Sequence, residues 1–126
     1  MRKGLNRLLK LLEILGDDFA ILPFGFTING VTTPDGLLGP IDTAVRDEAG
    51  EFTLTLKDDT VPYACWAGFA AVSNTADDVD MHCTIDWTTV ASAGTFVVRT
   101  MTGSTQTDPT DNLLVGGFLL VKKTSR

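Results

Sequence analysis

"FTLTL", Phe52 to Leu56, decides the fold class. Phe52, Leu54 and Leu56 alternate with Thr53 and Thr55. In a strand, successive side chains point to opposite faces, so this stretch has one apolar and one hydroxylated face. A helix would scatter the same residues around its axis. "AGE" before it and "KDD" after it read as turns, so the strand is short and bounded.

Working outward, the same grammar recurs. "GTFVVRT", Gly94 to Thr100, sets Phe96 and Val98 on one face and Thr95, Val97 and Arg99 on the other. "FGFTIN" (Phe24 to Asn29), "AGFAAVS" (Ala67 to Ser73) and "VDMHCTIDW" (Val79 to Trp87) are further strand candidates. "NLLVGGFLLVKK", Asn112 to Lys123, is apolar on both faces, which predicts a central strand packed on both sides. Gly116-Gly117 inside it predicts a bulge or a close backbone approach. "NGVTTPDG", "SNTADD" and "SAG" are turn clusters, and "GSTQTDPTD" (103–111) is expected as a polar surface loop. No helical pattern follows residue 16 and no repeat is present. Short strands spaced by turns predict an all-β fold: an antiparallel β-sandwich, jelly-roll-like, over residues 17–126.

The first sixteen residues differ. Leu5, Leu8, Leu9, Leu12 and Leu15 recur at i, i+3, i+4 and i+7, the spacing of one helix face. Leu11 and Ile14 widen the stripe, while Arg7, Lys10 and Glu13 mark the other side. Gly16 is a natural stop. So short a helix is marginal alone in water, and its stripe calls for an apolar surface to lie on. Residues 1–16 are therefore expected to form an amphipathic arm. Lys10 and Glu13 interrupt what would be the apolar region of a signal peptide, and no small-x-small cleavage site follows. Synthesis in the cytoplasm is the expectation. No run approaches the ~20 apolar residues of a membrane span.

Composition narrows the function. The 126 residues suffice for one core, and 44% apolar with 21% charged residues is ordinary for a globular domain. The net charge of −6 is unevenly spread. Arg2, Lys3, Arg7 and Lys10 open the chain, and Lys122, Lys123 and Arg126 close it, around an acidic body. Such a body repels phosphate and argues against nucleic acid as the main partner. Basic ends suit an acidic surface, or simply keep the termini solvated.

The residues offer little chemistry. His82 is the only histidine, with Asp80, Cys83 and Asp86 beside it. On a strand, Asp80, His82, Thr84 and Asp86 share a face. That is better read as the solvent side of a half-buried strand, opposite Met81, Cys83, Ile85 and Trp87, than as a metal site. No G-x-S-x-G or phosphate-loop motif occurs. The acid pairs Asp17-Asp18, Asp58-Asp59 and Asp77-Asp78 sit in turns, where neighbouring carboxylates do not face each other across a substrate. Cys65 and Cys83 are expected as buried free thiols, with a disulfide as the alternative. Trp66, in "YACWAGF", is expected in the core. The expectation is a non-enzyme without cofactor or metal.

The layout also resembles a known group. It runs "FGFTINGVTTPDGLLGPIDTAVRDEAGEFTLTL", then "FAAVSNTADDVDMHCTIDW", "AGTFVVRTM" and "DPTDNLLVGGFLLVKKTSR", after the opening "MRKGLNRLLKLL". This resembles small virion structural proteins of tailed bacteriophages, of the capsid decoration or cement kind. Where that group has an Ala- and Leu-rich central segment, this chain has "VPYACWAGFAAVS". The resemblance implies a β-domain on the capsid surface of a virion, a homotrimer, whose partner is the major capsid protein. Neither nucleic acid nor membrane is an expected partner. The partner-binding residues would be Leu5, Leu8, Leu9, Leu12 and Leu15 of the arm, with Arg2, Lys3 and Arg7 reaching acidic coat groups. Two other classes compete with it. One is a tail or receptor-binding module that recognises a host surface glycan through Tyr63, Trp66 or Trp87. The other is a membrane-surface protein using the amphipathic arm, although that arm lacks the interfacial Trp or Phe that would strengthen such binding.

Overall fold

A computed structural model describes residues 18–73, 80–109 and 112–123. The arm, residues 1–16, lies outside the described residues. The described chain forms the antiparallel β-sandwich that the alternating patterns predict. Its strands are β1 (Phe19–Asn29), β2 (Asp35–Leu38), β3 (Ile41–Glu48), β4 (Glu51–Leu56), β5 (Ala64–Val72), β6 (Met81–Asp86), β7 (Thr95–Thr102), β8 (Thr105–Gln106) and β9 (Asn112–Lys122). Sheet I has the order β2-β1-β9-β5. Sheet II has the order β3-β4-β7-β6, with β8 also paired to β7.

The core lies between the sheets and is built from alternate residues, because the pleat sends every second side chain inward. Sheet I contributes Phe24, Phe26, Ile28, Leu113, Val115, Leu119 and Val121. Sheet II contributes Phe52, Leu54, Leu56, Phe96 and Val98. Two ring pairs bridge the layers: Phe24 with Phe96 at 4.9 Å and Phe26 with Phe52 at 6.1 Å between centroids. The inward set of "FTLTL" is fully enclosed.

Several elements depart from the sequence expectation, each for a local reason. β1 begins at Phe19 rather than Phe24. Pro23 lies inside it without breaking the sheet, because β2 pairs with β1 only from Gly25 onward. The Pro23 region is therefore paired on one side only, where a missing N–H costs no ladder bond. β3, "IDTAVRDE", shows no clean alternation because its register with β4 shifts between Ile41 and Thr43 and again between Arg46 and Glu48. β2 falls within a stretch that reads as turns. A one-turn helix, α1 (Val90–Ala93), ends at Gly94 in the left-handed region, φ 69°, and buries Val90.

The "GSTQTDPTD" stretch is less of a free loop than its composition suggests. It supplies β8, and Asp108 is tied down beyond it. Arg46 Nε donates to Asp108 Oδ1 at 3.1 Å and its Nη2 to Oδ2 at 2.5 Å. The Gly50 N–H donates to Oδ1 at 3.0 Å. Thr100, the one buried polar residue among those described, donates its hydroxyl to the Thr107 carbonyl at 2.7 Å.

Gly116 and Gly117 are not a bulge. β1 and β9 pair without interruption from Phe19–Lys122 to Asn29–Asn112. Of the two alternatives, close approach is what occurs. A Cβ on Gly117 would overlap the Phe69 carbonyl and meet Ala70 Cα at 2.9 Å.

Candidate association surface

The two outer faces of the sandwich differ in kind. That of sheet II is mainly polar, with Val45 its one large exposed apolar residue among those described. It presents Asp42, Thr43 and Asp47 from β3, and His82 and Thr84 from β6. Arg99 and Glu51, opposite each other in the β4–β7 register, pair at 2.9 Å. Asp80 and His82 are exposed, Met81 is buried, and Cys83, Ile85 and Trp87 are half-buried against the core. The half-buried-strand reading of this segment thus holds. Among the described residues no group of three His, Cys, Asp or Glu side chains is placed to hold a metal.

Sheet I is the opposite. β1, β5 and β9 together carry no ionisable side chain except Cys65 and Lys122. Their outward set is mostly apolar, with Thr27 toward one end and Lys122 at the other. Phe69 and Phe118 are directly paired across β5 and β9 and stack at 5.8 Å, while remaining 58% and 40% exposed. At one end, Phe19 meets Trp66 edge-on at 4.7 Å across the intervening strand. At the other, Leu114 is exposed. Leu38 on the edge strand β2 and Tyr63 just before β5 are exposed too. Between the Phe69–Phe118 row and Leu114 runs a low row of small residues in register, Gly25, Gly116 and Ala71.

This corrects two expectations. Trp66 is not in the core: it is 53% exposed, because the β5 register shifts between Cys65 and Ala67 and turns it outward. β9 is central, but the described residues pack only its inner face. Leu114 and Phe118 on its outer face stay open. Contiguous exposed apolar area of this kind marks an interaction surface. The doubly apolar sequence of β9 is the available signal, but it does not distinguish a face covered within the domain from one left open.

The remaining candidates do not converge. The cysteines are free. Both are half-buried rather than buried. Desolvation pushes the Cys65 thiol up, and burial pushes that of Cys83 up to about 12, so neither is an activated nucleophile. Asp58 and Asp59 lie in an exposed 3-10 turn. A cleft of about 300 Å³ is lined by Ala20, Leu22, Val61, Pro62 and Val121, with Asp59, Thr60 and Lys123 as its polar members. Neither His82 nor either thiol is among the residues that line it. Asp86 accepts from the Thr88 hydroxyl and N–H at 2.7 and 3.0 Å, which lowers its pKa. Among the described residues no helix is long and apolar enough to cross a membrane. Compared with known proteins, the chain matches no protein-family model, no curated protein and no solved structure.

Proposed function

We propose that the protein is a non-enzymatic structural component of a tailed-phage virion, a capsid decoration protein that binds the coat lattice and stabilises it. The observation that carries this reading is the aromatic outer face of sheet I, whose charges, Lys122 and Asp35, stand at its margins, set on a sandwich whose other face is mainly polar. The sequence resemblance supplies the virion context. The association surface comprises this face and the segment 1–16 that runs into β1. Leu5, Leu8, Leu9, Leu12 and Leu15 supply apolar area, and Arg2, Lys3 and Arg7 face acidic groups of the major capsid protein. Copies act as homotrimers. A ligand that binds the intact shell and not its separated subunits stabilises the shell by mass action, and repeated sites on one lattice add multivalently.

Sedimentation with empty shells lacking the protein tests this. Wild-type protein co-sediments at a fixed ratio to coat subunits, and Phe69→Asp/Phe118→Asp weakens binding by more than tenfold. Equal binding of the double variant, or no wild-type binding, refutes the proposal. The second reading, a glycan-recognising tail module, is favoured by the exposed rings of Tyr63 and Trp66, since sugars stack on open aromatic faces. Quenching or enhancement of Trp fluorescence by a host-surface polysaccharide, abolished in Trp66→Ala, would select it.

A further inference from the structure

We infer that the Leu-rich segment 1–16 packs, within its own chain, on the outer face of sheet I. This goes beyond the capsid reading and changes it in one respect: leucines that cover their own sheet leave the basic face of the segment, rather than the bare rings, to meet the coat.

Chain geometry leaves few alternatives. β1 begins at Phe19, and the backbone is fixed there by the Lys123 N–H donating to the Asp18 carbonyl at 2.6 Å. Only Asp17 and Asp18 separate Gly16 from this strand. Links between helices and strands in compact domains are commonly ~2–6 residues long, and a segment tethered this closely to β1 stays within reach of the faces of the sheet that β1 belongs to. The inner face of that sheet is filled by sheet II, so the outer face is what remains. The 300 Å³ cleft beside Ala20 and Leu22 has room for a side chain, not for a helix.

The surfaces match in chemistry and size. Leu5 to Leu15 spans ~15 Å as a helix. Counted from Phe19 at ~3.4 Å per residue, that reaches the level of Pro23 and Phe24, whose β9 partners are Phe118 and Gly117. The stripe therefore covers the Phe19–Trp66 pair and the Phe69–Phe118 stack, and its far end meets the low row at Gly116. Leu114 and Leu38 stay outside its reach. On β1, β9 and β5 the one charged side chain is Lys122, at the end of the sheet beside Phe19, where its stem can lie along the rings with its ammonium in water. With the stripe turned inward, Lys3, Arg7, Lys10 and Glu13 face outward, and the apolar face becomes a net cationic one. A two-residue tether holds the segment at high effective concentration, which favours its own sheet over that of a second copy.

Cross-linking tests the placement in the full-length protein. In a Cys65→Ala/Cys83→Ala background, Leu8→Cys is combined with Ala71→Cys on the outer face of sheet I, or with Thr84→Cys on the outer face of sheet II. A short bis-maleimide is added at low protein concentration. The expected result is a closed link within one chain for the Ala71 pair, at the mass of a single chain, and none for the Thr84 pair. Links mainly between chains would overturn the assignment in favour of a second copy. Equal linking of both pairs, or of neither, would overturn the contact itself. A second readout needs no cysteine. In Trp87→Phe protein, Leu8→Asp/Leu12→Asp should raise acrylamide quenching of Trp66 about twofold. Gly116→Phe should do the same by filling the low row, since a Cβ there meets only the Phe24 carbonyl at 3.7 Å. Unchanged quenching in both variants would contradict the inference.

Discussion

Replacing Gly117 by Ala should detach β5, whereas the same change one residue earlier should not. The two glycines are adjacent in β9 and chemically identical, so only their surroundings can separate them. At Gly117 the new methyl would overlap the Phe69 carbonyl and stand 2.9 Å from Ala70 Cα. Both obstacles are backbone, so no rotamer change relieves them, and β5 must move away. The pairings of Phe69 with Phe118, Ala70 with Gly117 and Ala71 with Gly116 weaken together. Two or three ladder hydrogen bonds at about 1 kcal/mol each, with the ring stack at about 0.5–1 kcal/mol, give a loss of roughly 2–4 kcal/mol. At Gly116 the nearest atom to the methyl is the Phe24 carbonyl oxygen at 3.7 Å, an ordinary contact. Gly116→Ala should be neutral or stabilise by about 0.5–1 kcal/mol through lost unfolded-state freedom. Equilibrium urea unfolding separates the cases. With an m-value of about 2 kcal/mol/M, Gly117→Ala lowers the midpoint by roughly 1–2 M and Gly116→Ala leaves it unchanged or higher. Coincident midpoints for the two variants would refute the close-approach account of β5 and β9.

Three further outcomes follow from the same structure. Phe52→Ala removes a fully enclosed ring from the inter-sheet core and should cost about 3–5 kcal/mol in the same unfolding assay. Asp108 is held below the usual carboxylate range by the hydrogen bonds from Arg46, with the Gly50 N–H adding to the effect against its own desolvation. A carboxylate with a depressed folded pKa stabilises above its unfolded value of about 3.9 and loses that contribution as pH falls toward the folded one. Thermal scans should therefore show a stability decline below about pH 4 that is shallower in Asp108→Asn, a variant also less stable at pH 7. Finally, the Cys83 thiol, pushed up to about 12, should react with a maleimide at pH 8 at least ~100-fold more slowly in folded protein than in urea, by mass spectrometry.

The inner half of the fold was legible in the sequence because inward side chains alternate with polar ones. Phe52, Leu54 and Leu56, or Phe96 and Val98, announce a buried face by contrast with their threonines. The contrast fails where both faces are apolar. In β9, Leu113 and Leu114 look alike, yet one is enclosed and the other open. Trp66 shows a different failure. Its outward turn comes from a register shift, which depends on the pairing of two distant strands and leaves no local mark. β3 was hidden by the same cause, two shifts that spoil its alternation. The amphipathic period of residues 1–16 was clear, but a stripe states only that it needs an apolar surface. Which surface depends on tertiary structure, since the outer face of sheet I is assembled from β1, β9 and β5, strands distant in sequence.

The central claim is that sheet I, with the segment that enters it, is the side of the molecule that binds. The most direct measurement is cryo-electron microscopy of shells saturated with the protein. The account predicts ordered density at lattice junctions, oriented so that sheet I and the basic N-terminal residues face the coat and the polar face of sheet II points to solvent. Density oriented with sheet II against the coat would contradict the account, and so would shells that remain bare at saturating protein.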